Sequence, residues 1–361
     1  MHPDQDVRWM RAALALARRG LGRVWPNPSV GCVIVRDGRV IGRARTADGG
    51  RPHAETQALA MGDARGATAY VTLEPCAHTG QTGPCAKALV AAGIVRVVIA
   101  QTDPDPRVDG GGIRILQDAG IKVTTGVCTN EAAVLQRGFT TRIAQNRPMV
   151  TLKLASTLDG RIATASGESQ WITGPAARTH VHAQRAAHDA VMVGAGTLRA
   201  DDPQLTVRGM GDVAQPVRIV VSRRLDLPPA AQMFHDHAAP VWLCHGEAAP
   251  AHLRGQFGAA RLIECGQDGR NLDPTAVLRA LGDAGLTRVY CEGGGALAAS
   301  LLAAGLVDEI HLYLAGKIIG AEGTPSIAAM GLSRLAQAPQ FTLTAHRQIG
   351  ADVLQVWRPT V

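Results

Sequence analysis

The side chains best suited to chemistry lie in one short stretch. They are His53 and Glu55 in Pro52-His53-Ala54-Glu55, Cys76 in Glu74-Pro75-Cys76-Ala77-His78, and Cys85 in Pro84-Cys85. One imidazole and two thiolates make three protein ligands, here for one Zn2+ per chain, and leave a fourth tetrahedral position for water. Zinc brings the pKa of such a water toward neutrality. Glu55, two residues past His53, is placed to act as the catalytic acid and base that moves its proton. A structural metal would call for a fourth ligand, and His78 is the nearest candidate.

These residues need elements to hold them. Apolar Val7, Met10, Ala13, Leu14 and Ala17 recur at helical spacing over 6–19. Val30–Val35, Asp37-Gly38 and Arg39–Arg43 read as a hairpin. Helices are expected near 53–61, 84–92, 110–119 and 130–141, with strands at Thr68–Leu73, Val95–Ala100 and Ile121–Thr124. His53 and Cys85 then sit at helix starts, whose positive ends favour thiolate and hydroxide, and Cys76 follows a strand. Helices between the later strands imply parallel pairing, with layers on both sheet faces.

At 361 residues the chain has room for two domains. The polar Gln145-Asn146-Arg147-Pro148 marks the boundary, giving domains 1–145 and 148–361. The second opens with a strand at Met149–Ala155. Further strands are expected near 190–194, 217–221, 240–244, 260–264, 287–291, 308–314 and 351–357. The composition is 46% hydrophobic and 19% charged, that of a globular protein. Without a membrane-length apolar run or a signal-like start, the expected location is cytoplasmic, with no membrane association. The net charge of +7 asks for anionic partners. No basic run exceeds two residues and aromatics are 3%, so phosphorylated small molecules are favoured and no nucleic acid is expected. Of the seven cysteines, all but Cys76 and Cys85 read as small buried hydrophobes.

His-x-Glu followed by Pro-Cys and Pro-Cys is a zinc-deaminase pattern, usually with two residues between the cysteines. Here there are eight. The run from Glu74 to Cys85 resembles the deaminase half of the bifunctional riboflavin-biosynthesis deaminase-reductases. Pro26-Asn27-Pro28-Ser29-Val30-Gly31 resembles the same family, which implies a substrate contact for Asn27. Asp103-Pro104-Asp105-Pro106 and Gly110-Gly111-Gly112-Ile113 resemble its substrate ribose and phosphate region. Gln81 stands where the family often has Lys or Arg, Gly83 where Pro is common and Asp105 where Asn is common. Arg107 is a possible substitute for holding the phosphate.

Four later motifs resemble the same family's C-terminal half, which is similar to dihydrofolate reductase. They are Lys153–Arg161, Ser166–Thr173, Val193–Arg208 and Glu292–Gly295. The implied fold is α/β: an N-terminal cytidine-deaminase-like three-layer α/β/α domain and a C-terminal dihydrofolate-reductase-like α/β domain. A three-glycine turn between a strand and a helix permits close approach to a pyrophosphate. Arg223 and Arg224 beside Ser222 suit the extra phosphate of NADPH. The resemblance places Ala155, Trp171, Thr197, Asp201, Ser222, Gly293, Gly294 and Gly295 on NADPH. It places Ser169, Arg185, Leu205, Arg208 and Glu292 on a phosphorylated pyrimidine substrate, with Arg185 and Arg208 as a guanidinium clamp. The proton donor of the reduction is unassigned. The resemblance also implies a homo-oligomer. The implied activity is zinc-dependent deamination of a phosphoribosylated diaminopyrimidinone, then NADPH reduction of ribosyl to ribityl. The alternative is a nucleoside or nucleic-acid base deaminase with an accessory binding domain.

Overall fold

The computed structural model describes residues 3–78, 83–105, 108, 110–269 and 271–360. The chain folds as two compact units, Met1–Asn146 and Arg147–Val361. Gln81 and Arg107 lie outside the described residues.

The first unit runs α1 (Pro3–Arg18), β1 (Gly31–Arg36), β2 (Arg39–Arg45), α2 (Ala54–Leu59), β3 (Thr68–Val71), α3 (Cys85–Ala91), β4 (Arg96–Ile99), α4 (Gly111–Asp118), β5 (Lys122–Thr125) and α5 (Thr129–Gln145). Its sheet has the order β2-β1-β3-β4-β5. β1 is antiparallel to β2 and β3, and β3, β4 and β5 are parallel. Asp37 and Gly38 both take positive φ, the geometry a two-residue hairpin turn requires. Along β1, Val33 and Val35 pack with Met10, Ala13 and Leu14 of α1 and Leu135 of α5. Cys32 and Ile34 point the other way, into a cluster holding Ala54 and Ala58 of α2, Leu89 of α3 and Leu116 of α4. A sheet between two helical layers results, as the deaminase-like resemblance implies.

The second unit runs β6 (Met149–Thr157), β7 (Arg161–Ala163), α6 (Pro175–Ala186), β8 (Ala190–Gly194), α7 (Ala195–Asp201), β9 (Val217–Val221), β10 (Val241–His245), α8 (Ala251–Arg254), β11 (Arg261–Glu264), β12 (Gln267–Asp268), β13 (Asn271–Leu272), α9 (Pro274–Asp283), β14 (Arg288–Cys291), α10 (Gly295–Ala303), β15 (Glu309–Ala315), β16 (Thr324–Pro325), β17 (Phe341–Ile349) and β18 (Asp352–Pro359). Its large sheet has the order β11-β10-β9-β8-β14-β6-β15-β18-β17. From β11 to β15 every pairing is parallel, while β18 and β17 are added antiparallel. The apolar runs of β8, β9 and β10 are buried, as parallel strands covered on both faces should be. β17 is an element the sequence reading did not anticipate. It is an edge strand exposed along most of its length, so it shows no buried face from which to recognise a period. Among the described residues, no helix is long and apolar enough to cross a membrane.

Candidate active sites

In the first unit, chain direction brings the metal-ligand residues together. His53 immediately precedes α2, Cys85 opens α3, and Cys76 lies beyond the end of β3. His53 Nδ1 is 3.3 Å from Cys85 Sγ and 3.7 Å from Cys76 Sγ, and the three ligand atoms lie within 4.8 Å of one another. Gln57 braces the His53 segment by donating to the carbonyls of Arg45, at 2.6 Å, and Pro52, at 3.0 Å. The backbone N–H of Cys85 donates to Cys76 Sγ at 3.3 Å. Hydrogen bonding from Cys85, joined by His53, pulls the Cys76 thiol down to about 4, and the same bond pushes Cys85 upward. His53 is raised, first by its hydrogen bond with Cys76. The cluster is thus an imidazole facing a ready thiolate, a donor set suited to zinc. Glu55 sits in the first turn of α2, 3% exposed, and burial pushes its carboxyl up to about 7. That value suits a group that must both take and give a proton near neutral pH.

Asn27 is half-buried and donates from Nδ2 to the Gly50 carbonyl at 2.8 Å. A Cβ on Gly50 would come 2.3 Å from that nitrogen, and Gly50 has φ +86°, so glycine is required there. Asp103 and Asp105 are buried, with Asp105 N donating to Asp103 Oδ1. The glycines 110–112 serve packing: a Cβ on Gly112 would lie 1.9 Å from the Pro75 carbonyl oxygen. Glu74, to which the sequence reading gave no role, explains this close approach. Its buried carboxylate accepts from the backbone N–H groups of Asp103, Gly110 and Ile113 at 3.3, 3.2 and 3.1 Å.

In the second unit the expected residues gather at the C-terminal ends of adjacent parallel strands, where open α/β sheets bind ligands. Ser222 follows β9, Thr197 lies in α7 after β8, Glu292–Gly295 join β14 to α10, and Ala155 is on β6. A Cβ on Gly294 (φ +58°) would meet Thr197 Oγ1 at 2.9 Å, and one on Gly295 would meet the Ala328 nitrogen and Pro325 oxygen at 3.1 Å. The glycines therefore let protein segments close on the turn, which a sequence reading in terms of pyrophosphate alone does not show. Asp201 ends α7; desolvation raises its carboxyl, with Lys153 opposing. Trp171 is 58% exposed, which removes a core role. Arg178 lies 4.6 Å from its ring centroid, and its carbonyl accepts from Lys317 Nζ at 2.6 Å. Ser169, two residues before it, is half-buried.

The expected substrate residues differ sharply among themselves. Arg185 makes a two-point ion pair with Glu292, Nε to Oε1 at 2.5 Å and NH2 to Oε2 at 3.0 Å, and NH1 donates to the Thr206 carbonyl at 2.8 Å. Lys153 Nζ lies 3.7 Å from Glu292 Oε2. Burial alone would raise Glu292, but Arg185 and then Lys153 outweigh it and hold the carboxyl at about 2. Arg208 is exposed and, among the described residues, its side chain reaches only Gln204 Oε1, so the two arginines are not equivalent arms of a clamp. Leu205 has φ +56° and a side chain in the core, which leaves its backbone as the part able to meet a ligand. Lys153 opens one of the reductase-like motifs, and sequence alone assigns it no role. Its signal is three-dimensional: it is influenced by the carboxylates of Asp201, at the end of α7, and Glu292, just after β14.

Residues 3–101 match the cytidine and deoxycytidylate deaminase zinc-binding region, and residues 148–355 match the RibD C-terminal domain. The chain is 41% identical over 363 residues to the riboflavin biosynthesis protein RibD of Escherichia coli (strain K12), covering 97% of this chain and 98% of that protein. It is 40% identical over 370 residues to RibD of Haemophilus influenzae, covering 99% and 98%. Among solved structures, Acinetobacter baumannii RibD, form 1, superposes with a TM-score of 0.89 at 40% identity, and both chains are covered completely. A diaminohydroxyphosphoribosylaminopyrimidine deaminase/5-amino-6-(5-phosphoribosylamino)uracil reductase from Thermotoga maritima gives 0.88 at 35% identity, again with full coverage of both. The match of the second unit to a reductase domain removes the alternative of an accessory binding domain. The chain belongs to the RibD family of bifunctional riboflavin-biosynthesis proteins, in which a deamination is followed by a reduction.

Proposed function

We propose that the first unit holds zinc through His53, Cys76 and Cys85 and removes the ring amino group of a phosphoribosylated diaminopyrimidinone as ammonia. In the same reading the second unit uses NADPH to reduce the ribosyl group of the product to ribityl. The observation that carries it is the convergence of one imidazole and two thiols within 4.8 Å beside a buried carboxylate held near 7. Zinc at these three ligands would supply the Lewis acidity that makes water nucleophilic near neutral pH. Glu55 would hold the proton taken from that water and return it to the ring and the leaving amine. Asn27, fixed by Gly50, would orient the pyrimidine.

In the second unit, α7 and α10 begin at the strand ends where Thr197 and Gly294 meet, a setting that fits the anionic pyrophosphate of NADPH. NADPH would supply the reducing equivalent, and the ammonium of Lys153, 3.7 Å from Glu292 Oε2, would stand as a cationic group beside the expected substrate residues. The same reading extends to a cytoplasmic homo-oligomer formed through the open edge at β17, which an isolated sheet would leave exposed.

The test mixes zinc-loaded protein with the diaminopyrimidine substrate. Ammonia should appear without NADPH, and NADPH should be oxidised only once deaminated product has formed. Unchanged substrate over zinc-loaded protein would overturn the reading.

A further inference from the structure

Residues 202–208 follow α7 without belonging to a helix or strand, yet Leu205, Thr206 and Val207 are buried. Buried backbone groups need partners, and here side chains supply them. The Thr206 carbonyl accepts from Arg185 NH1 at 2.8 Å, and the Gln204 carbonyl from Arg218 NH1 at 3.4 Å. Val207 is served at both its polar groups by one side chain. Its N–H donates to Gln215 Oε1 at 2.7 Å, and its carbonyl accepts from Gln215 Nε2 at 3.1 Å. The amide thus makes the two bonds that a facing residue of an antiparallel strand would make. Its orientation is fixed, because the flipped amide would set NH2 against N–H and oxygen against oxygen.

This pair of bonds closes a loop. Between its ends the chain runs out through residues 208–214, all of them exposed except Val213. It passes Gly209 and Gly211, both at φ +72°, where a Cβ would meet nothing within 4 Å. Such a stretch has little of its own to hold it. Arg208 stands at its start, directly after the fastened Val207, so the Gln215 amide sets the point from which that guanidinium reaches out. Upstream, Leu205 keeps φ +56°, which a bulky side chain holds only where its surroundings impose it. We propose that Gln215 is a positioning residue of the reductase, which places Arg208 for the substrate by fastening Val207 at both polar groups. The proposal rests on reading Arg208 as a substrate residue. Without the amide the loop base opens in part of the population, and apparent affinity falls with the fraction that keeps Arg208 in place.

The test follows NADPH oxidation by the full-length protein on the deaminated substrate. Gln215→Met keeps the length of the side chain and removes both bonds. It should raise the substrate KM about 10-fold, the scale of one to two neutral hydrogen bonds, with kcat and NADPH affinity within about twofold of wild type. Gln215→Ala should do the same, so either variant serves if the other fails to fold. In an Arg208→Ala background, Gln215→Met should cost less than about threefold, because the residue it places is gone. A wild-type KM in Gln215→Met would reduce Gln215 to filling space. A full 10-fold loss in the Arg208→Ala background would mean that it acts on something other than Arg208. Either overturns the proposal. An Arg208→Ala protein with a wild-type KM would instead remove the reading of Arg208 as a substrate residue.

Discussion

The metal cluster draws its working side chains from residues 53–85, and secondary structure alone nearly assembles it. The reductase cleft draws Lys153, Arg185 and Glu292 from β6, α6 and the end of β14, which meet only because β14 lies between β8 and β6 in the sheet. The first site depends on rare ligand types at fixed distances. The second depends on charges that neutralise one another across strands. Damage should therefore stay local in one and spread through the fold in the other.

Glu55→Gln is the sharpest way to separate them. The variant should retain its metal and lose about 10²–10⁴-fold in ammonia release, the usual range for a general acid–base group. Its reductase rate on pre-deaminated substrate should stay at the wild-type level. Metal analysis beside both assays checks this, and a loss in both activities would break the picture of a local site.

Glu292→Gln should do the opposite. Its side chain is 8% exposed, and neutralising it leaves Arg185 and Lys153 facing each other uncompensated. Breaking a buried ion pair this way costs about 3–5 kcal/mol, so reduced stability in urea should accompany loss of NADPH oxidation. Ammonia release should survive. A variant as stable as wild type would show that the pair is not a structural anchor of the reductase cleft.

Legibility in the sequence follows the same division. His53, Glu55, Cys76 and Cys85 could be read because few other functions place these residue types at helix starts with that spacing. The hairpin of β1 and β2 was readable from the Asp37-Gly38 turn, β1 being apolar from Cys32 to Val35 because its opposite faces enter two different cores. β17 was not, because it buries almost nothing. Lys153 was missed because its partners lie far along the chain, and strand order cannot be read from a list of strands. Arg185 and Arg208 looked alike as motif residues, yet one is committed to Glu292 and the other lies exposed at the surface, bonded to Gln204. Glu74 sits between both cases, since its neighbours in sequence are the metal motif but its donors are backbone groups 29 to 39 residues away.

Glu74→Gln therefore tests how local the metal site is. An amide cannot accept from three N–H groups as a carboxylate does, so the Cys76 segment should loosen against α4. Outer-shell losses of this kind weaken metal affinity by about 10–100-fold, and the lower end is expected because Glu74 does not touch a ligand atom. Competition with a chelator measures it. Unchanged retention would mean the cluster is held by its own loop and helices alone.

The smallest effect concerns acid, and it distinguishes the reductase unit by its buried imidazoles. His188 is buried, its Nδ1–H donating to the Gln184 carbonyl at 2.7 Å and its Nε2 accepting from the Thr151 hydroxyl at 3.0 Å. Burial, with Arg288 and His311, lowers it from 6.5 to about 3, against the Gln184 carbonyl and Glu309. The folded value lies below the unfolded one, so between them the unfolded chain binds a proton that the folded chain refuses. The associated stability is present above 6.5 and is lost as pH falls toward 3, at up to about 1.4 kcal/mol per pH unit. His180 is shifted in the same direction, to about 4, and His182 is lowered too, so the wild-type slope carries three imidazoles. Glu292, ordinarily at 4.5 and held at about 2, contributes only at lower pH. His188→Asn keeps a donor and an acceptor in place of the neutral ring and removes its titration. Urea unfolding between pH 6.5 and 4.5 should then show a shallower loss of stability than wild type. An unchanged slope would assign the acid sensitivity of this unit to groups other than His188.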